Sequence, residues 1–78
     1  MSERLPRVTA SQLIRAIEKH GFRLSRQTGG HRIYKNAEGR RVTVPYHEGR
    51  TLHPKVLKSI MADADLTPEQ LRVLLRDR

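Results

Sequence analysis

His31 stands directly after Gly29 and Gly30 in the run RQTGGHRIYKN, with Arg26, Arg32 and Lys35 close on either side. Imidazole gives and takes protons near neutral pH, so a histidine on a bend is a candidate for proton transfer. Two residues without side chains let a substrate backbone come close, and their amides can face an oxyanion. Guanidinium and ammonium groups around such a point bind phosphate and stabilise the charge that gathers on it during reaction. RNA suits this set of groups, because its 2′-hydroxyl is a nucleophile already attached to the substrate. Deprotonating it and steadying the phosphorane needs neither metal nor cofactor, and none is expected. The acids nearest in sequence, Glu38 and Glu48, fall in expected loops and do not form the cluster that a two-metal nuclease requires. The same three residues also read as an ordinary turn with a polar flank, and the run alone does not separate the two readings.

The other histidines divide by context. His47 follows the VTVP segment in a loop, where the end of a strand can bring it near His31. His53 precedes Pro54 and reads as a structural residue at a helix start. His20 ends the first helix. A zinc site built from His31, His47 and His53 matches no established ligand spacing.

These side chains must be held by elements that the local sequence marks. Thr9 with Gln12 reads as a capping box, and Ala10, Leu13, Ile14 and Ile17 recur at helical spacing up to the stop at Gly21, predicting a helix over about 10–20. Alternation then predicts a strand over 22–27, with Phe22 and Leu24 on one face and Arg23 and Ser25 on the other. Thr28-Gly29-Gly30 makes a turn into a second strand over 31–36, and the loop at 37–39 leads into a third, RRVTVP, with Val42 and Val44 on one face. Pro54 opens a second helix with Val56, Leu57, Ile60 and Met61 as its stripe. Thr67 and Gln70 open a short last helix that presents Leu71, Leu74 and Leu75. The expected architecture is α+β: a two-layer α-β-β-β-α arrangement, a three-stranded antiparallel sheet with helices on one face, plus a short C-terminal helix. It forms a single domain over 1–78, with its core at about 9–65 and an extension at 66–78 whose leucines are expected to close the domain. The open sheet face is expected to carry Arg23 and Arg41, and Arg32 as well if Ile33 points inward. Ile33 and Tyr34 are both apolar, so the register of the second strand, and with it the side on which His31 lies, stays open.

The totals agree with a polyanion partner. Sixteen Lys and Arg, twelve of them Arg, face eight Asp and Glu for a formal charge of +8. The first 58 residues carry thirteen cations and four anions, or +9, and the last twenty carry −1. A basic body of this kind points to nucleic acid ahead of a membrane surface or an acidic protein. There is no cysteine, which fits a reducing compartment such as the cytoplasm. No apolar run is long enough to span a membrane, and the opening MSERLPRVTAS lacks the apolar core of a signal peptide.

The order GF…RQTGGHRIYKN…GRRVTVPYHEGRTLHPKVLKSIM resembles the HicA family of toxins over about residues 9–65, most tellingly in RQTGGH, VTVPYH and LKSIM. The resemblance implies an α-β-β-β-α fold like that of a double-stranded RNA-binding domain. It also implies an RNA-cleaving toxin of a type II toxin–antitoxin pair, an mRNA interferase, whose partner is a HicB-like antitoxin that covers the site. The family motif is Gly-Ser-His or Gly-Thr-His with an essential histidine. His31 holds that position and Gly29 the glycine, while Gly30 replaces the hydroxyl residue. His47 falls on a recurrent family position. The expected roles are therefore proton transfer for His31 and RNA binding for Arg26, Gly29, Gly30, Arg32, Lys35, Arg41 and His47. A non-catalytic RNA-binding module of the same fold is the main alternative, and a protein that only binds an acidic partner is a third.

Overall fold

Thr9 and Gln12 open the first helix by satisfying each other's backbone. In the computed structural model, which describes residues 5–76, the Gln12 amide donates to Thr9 Oγ1 and the Thr9 amide donates to Gln12 Oε1. This is the expected capping box. The helix, α1, spans Ala10–Lys19 and buries Leu13, Ile14 and Ile17. It stops where the glycine allows. Gly21 takes a left-handed φ of +104°, its amide donates to the Glu18 carbonyl, and the Phe22 amide donates to the Ile17 carbonyl. Those paired bonds are a Schellman stop, which characteristically packs the residue after the glycine against the last helical turn. Phe22 is accordingly fully buried. The ends of the expected 1–78 domain, residues 1–4 and 77–78, lie outside the described residues.

Three antiparallel strands follow, β1 Arg23–Thr28, β2 His31–Lys35 and β3 Arg41–Pro45, in the spatial order β1-β2-β3. Two helices complete the chain, α2 Pro54–Ala64 and α3 Pro68–Arg76. His53 caps α2 by accepting the Lys55 amide at Nδ1, so its structural reading holds. Thr67 and Gln70 cap α3 through a second reciprocal pair of bonds. The core gathers Tyr34, Val42 and Val44 from one face of the sheet with Leu13 and Ile17 of α1, Leu57 and Ile60 of α2 and Leu71 of α3. α3 packs against α1, Leu71 is fully buried, and Leu74 and Leu75 lie against the core. The fold is thus α+β, one open three-stranded sheet with its helices on one face, as in a double-stranded RNA-binding domain.

Register decides which side chains face the helices. Arg32 pairs with Val44 and Tyr34 with Val42, so Arg32 and Tyr34 share the helix-covered face. His31, Ile33 and Lys35 take the open face together with Arg41, Thr43 and Pro45. This register settles the choice that the second strand left open. Ile33 points outward and Tyr34 inward, so Arg32 does not join the open face. Tyr34 takes the inner position, where its large ring fills space in the core and is only 1% exposed. Phe22, just before β1, is buried, but Leu24 is 51% exposed. It lies opposite Tyr34, but at an edge strand that the helix layer does not cover.

β1 also breaks its alternation. Leu24 pairs with Tyr34 and Arg26 with Ile33, so Ser25 is the extra residue of a β-bulge. Continuous alternation would put Arg26 on the side of Leu24. The bulge instead turns it to the open face, in one rung with Ile33 and Thr43.

Candidate functional site

Gly29 and Gly30 form a two-residue loop between Thr28 and His31, which pair across it. Gly29 has φ +51°, and Gly30 is absent from the positive-φ glycines among the described residues. A positive φ at the first central position alone is the pattern of a type II′ turn, whose twist suits a hairpin. The loop projects beyond the sheet and leaves His31, the first residue of β2, exposed on the open face. Pro45 of β3 lies opposite His31, and the next amide, that of Tyr46, donates to the Gly30 carbonyl at 2.7 Å. This bond carries the chain past the turn and brings His47 to it. A Cβ built on Gly30 would lie 3.9 Å from His47 Cε1.

The two glycines are therefore not equivalent. Gly29 needs its left-handed conformation, whereas Gly30 has ordinary backbone and room for a side chain. Gly30→Ala is expected to leave stability unchanged or raise it by about 0.4–1 kcal/mol, while Gly29→Ala should lower it by about 1–2 kcal/mol. Denaturant midpoints at constant m-value would measure both. Equal losses at the two positions would contradict this account of the turn.

The cations divide by face. Arg26 stands two rungs from His31, about 7 Å along the ladder, on the same open face. Lys35 and Arg41 pair with each other at the far end of β2, about 13 Å along the strand from His31. Arg23 lies opposite Lys35, on the open face as expected, but its guanidinium is held by the carbonyls of Glu18 and Phe22. Arg26, Lys35, Arg41, His31 and His47 are all exposed. The open face is thus a basic strip that ends at the Gly-Gly turn.

Arg32 occupies the other side. Its guanidinium lies over the Tyr46 ring, 3.9 Å from the centroid, a cation–π contact. Its Nε is buried and has no partner among the described residues. Tyr46 in turn brings its hydroxyl to Ser11 Oγ, 3.2 Å away, in the first turn of α1. Burial holds the Tyr34 phenol above its ordinary pKa, with the Arg32 guanidinium pulling the other way. Tyr46 and Ser11 carried no expected role. The tyrosine immediately before His47 in VTVPYH was the available signal, and it anchors the segment that delivers His47. Thr28, a residue with no expected role, faces His31 directly across the hairpin and brings a hydroxyl to the site.

Glu38 lies in the β2–β3 turn, at the end of β2 away from His31, and Glu48 follows His47 in the next loop. Among the described residues no three His, Asp or Glu side chains are grouped to hold a metal ion. His53 is committed to its helix cap and stays apart from the turn.

Comparison with known proteins adds one decisive match. The family model described as HicA toxin of bacterial toxin-antitoxin covers residues 10–66, well over half of the chain. This chain belongs to the HicA toxin family. No curated protein matches it. The matched span of this HicA contains α1, the whole sheet, the GGH turn and α2, and it ends just before α3. This HicA is therefore a toxin of a toxin–antitoxin pair, with an antitoxin for a partner. No helix among its described residues is long and apolar enough to cross a membrane.

Proposed function

We propose that this HicA-family toxin is an endoribonuclease that cleaves mRNA without a metal ion, in a reducing compartment such as the cytoplasm. His31 takes the proton of a ribose 2′-hydroxyl, and the 2′-oxygen attacks the adjacent phosphorus. The bond from phosphorus to the 5′-oxygen breaks and that oxygen takes a proton from solvent, leaving a 2′,3′-cyclic phosphate on one product and a 5′-hydroxyl on the other, while His31 returns its proton to solvent. Arg26 is the cation closest in register to the reacting phosphate. Lys35 and Arg41 hold the strand further along. The Gly29–Gly30 turn gives the backbone close access, and His47 completes the phosphate site beside Gly30. Arg32 serves by anchoring Tyr46. A HicB-like antitoxin covers this face in the inactive pair.

One observation carries this reading. The register of β2 puts His31 and Lys35 on the same exposed face as Arg26 and Arg41, and a one-residue slip of β2 would have parted the first pair from the second. The test is incubation of purified protein with single-stranded RNA in excess EDTA, with the product ends identified. Cyclic-phosphate ends at undiminished rate are expected. With three cations neutralising phosphates, RNA affinity should fall about twentyfold from roughly 50 to 200 mM salt. Salt-sensitive binding without cutting would instead favour a non-catalytic RNA-binding module, a reading that draws on the missing hydroxyl at Gly30.

A further inference from the structure

A cavity lies away from the sheet. It is an open groove of about 1020 Å³, and no strand residue lines it. Leu52 and Met61 form its apolar floor, and Arg7, Lys55 and Lys58 stand around it. None of its lining residues is acidic. The first turn of α2 also carries no acidic side chain, so the positive end of that helix adds to the same field. One wall, Leu5 and Pro6, precedes the family-matched span, and Pro68 follows it. That wall is tied down by the Leu52 amide, which donates to the Val8 carbonyl at 2.8 Å, and by the Thr9–Thr51 bridge. Val8 itself is buried.

We propose that this groove docks an acidic, leucine-bearing peptide segment of the antitoxin, at a site separate from the RNA face. The inference rests on the antitoxin partnership and not on RNA cleavage. Charge complementarity selects the occupant. Three exposed cations with no carboxylate among them attract a carboxylate-rich segment and repel a basic one. The apolar floor suits aliphatic anchors, as grooves that take peptides do. Single-stranded RNA would leave the apolar floor unused, since no ring there is free for a base to stack on. The only aromatic ring in the lining is that of His53, which is occupied as the α2 cap.

The test is fluorescence anisotropy with a labelled synthetic peptide of glutamates carrying leucines at three- and four-residue spacing. A lysine–leucine counterpart and a single-stranded RNA serve as further probes. The full chain is expected to bind the acidic peptide and not the basic one. Lys55→Glu with Lys58→Glu should weaken it by about tenfold or more, and Ala62→Phe, which fills the groove, should do the same. The matched reversal Lys35→Glu with Arg41→Glu, on the sheet face, should cost less than about threefold, within the effect of net charge alone. Equal losses from the two reversals would reduce the binding to non-specific attraction and overturn the proposal. So would the absence of peptide binding, or an RNA affinity that the groove variants lower more than the peptide's. RNA cleavage by the groove variants should be unchanged. A protein that cuts no RNA yet binds the peptide in this pattern would overturn the ribonuclease reading alone.

Discussion

His31→Ala is expected to lower RNA cleavage by about 10²–10⁴-fold, the usual contribution of a positioned acid–base group. Stability should change by no more than about 0.5 kcal/mol, because the side chain is exposed and outside the core. The contrast between the two readouts makes the experiment decisive. A histidine that mattered only to the hairpin would move the melting transition and leave cutting in proportion to the folded fraction. A catalytic one moves the rate and leaves the melt alone. RNA affinity should also persist, since Arg26, Lys35 and Arg41 remain in place on their own strands. In cells, inducing the wild-type chain alone should arrest growth, and His31→Ala should restore it. Wild-type cutting by the variant would remove His31 from the chemistry and leave the basic strip as a binding surface only.

Phe22→Ala is expected to cost about 3–5 kcal/mol, whereas Leu24→Ala should cost under about 0.5 kcal/mol. The first figure rivals the whole stability of a small domain, typically about 5–15 kcal/mol, so Phe22→Ala should be largely unfolded at moderate temperature. Phe22 is fully buried, and its position is set by the hydrogen bonds that stop α1. Leu24 is two residues further on, with the same polarity pattern, but its strand lies at the edge of the sheet. Urea midpoints of the two variants would show the difference directly. Comparable losses would mean that the helix layer extends over β1 after all.

That pair shows how far local reading reaches. Helix starts and stops were legible because their chemistry is short-range. Thr9 with Gln12, Thr67 with Gln70, His53 before Pro54 and Gly21 after His20 each satisfy backbone groups within a few residues. Val42 and Val44 announced their face through plain alternation, and they are buried as expected. The GGH run, its neighbouring cations and the family likeness were all present in the linear order of residues.

β2 was not legible in this way, because Ile33 and Tyr34 satisfy the apolar pattern equally well. The choice falls to the core beneath the helices, where the tyrosine ring is buried, and it sends His31 outward and Arg32 to the helix side. Nor does anything in RLSRQT mark Ser25 as the bulge that returns Arg26 to the side of His31. His47 reaches Gly30 only because β3 ends opposite His31. By itself, then, the sequence determined the elements, their caps and the identity of the chemical groups, all through contacts a few residues long. Tertiary structure alone decided which of those groups share a face, since strand register depends on packing between residues far apart in the chain.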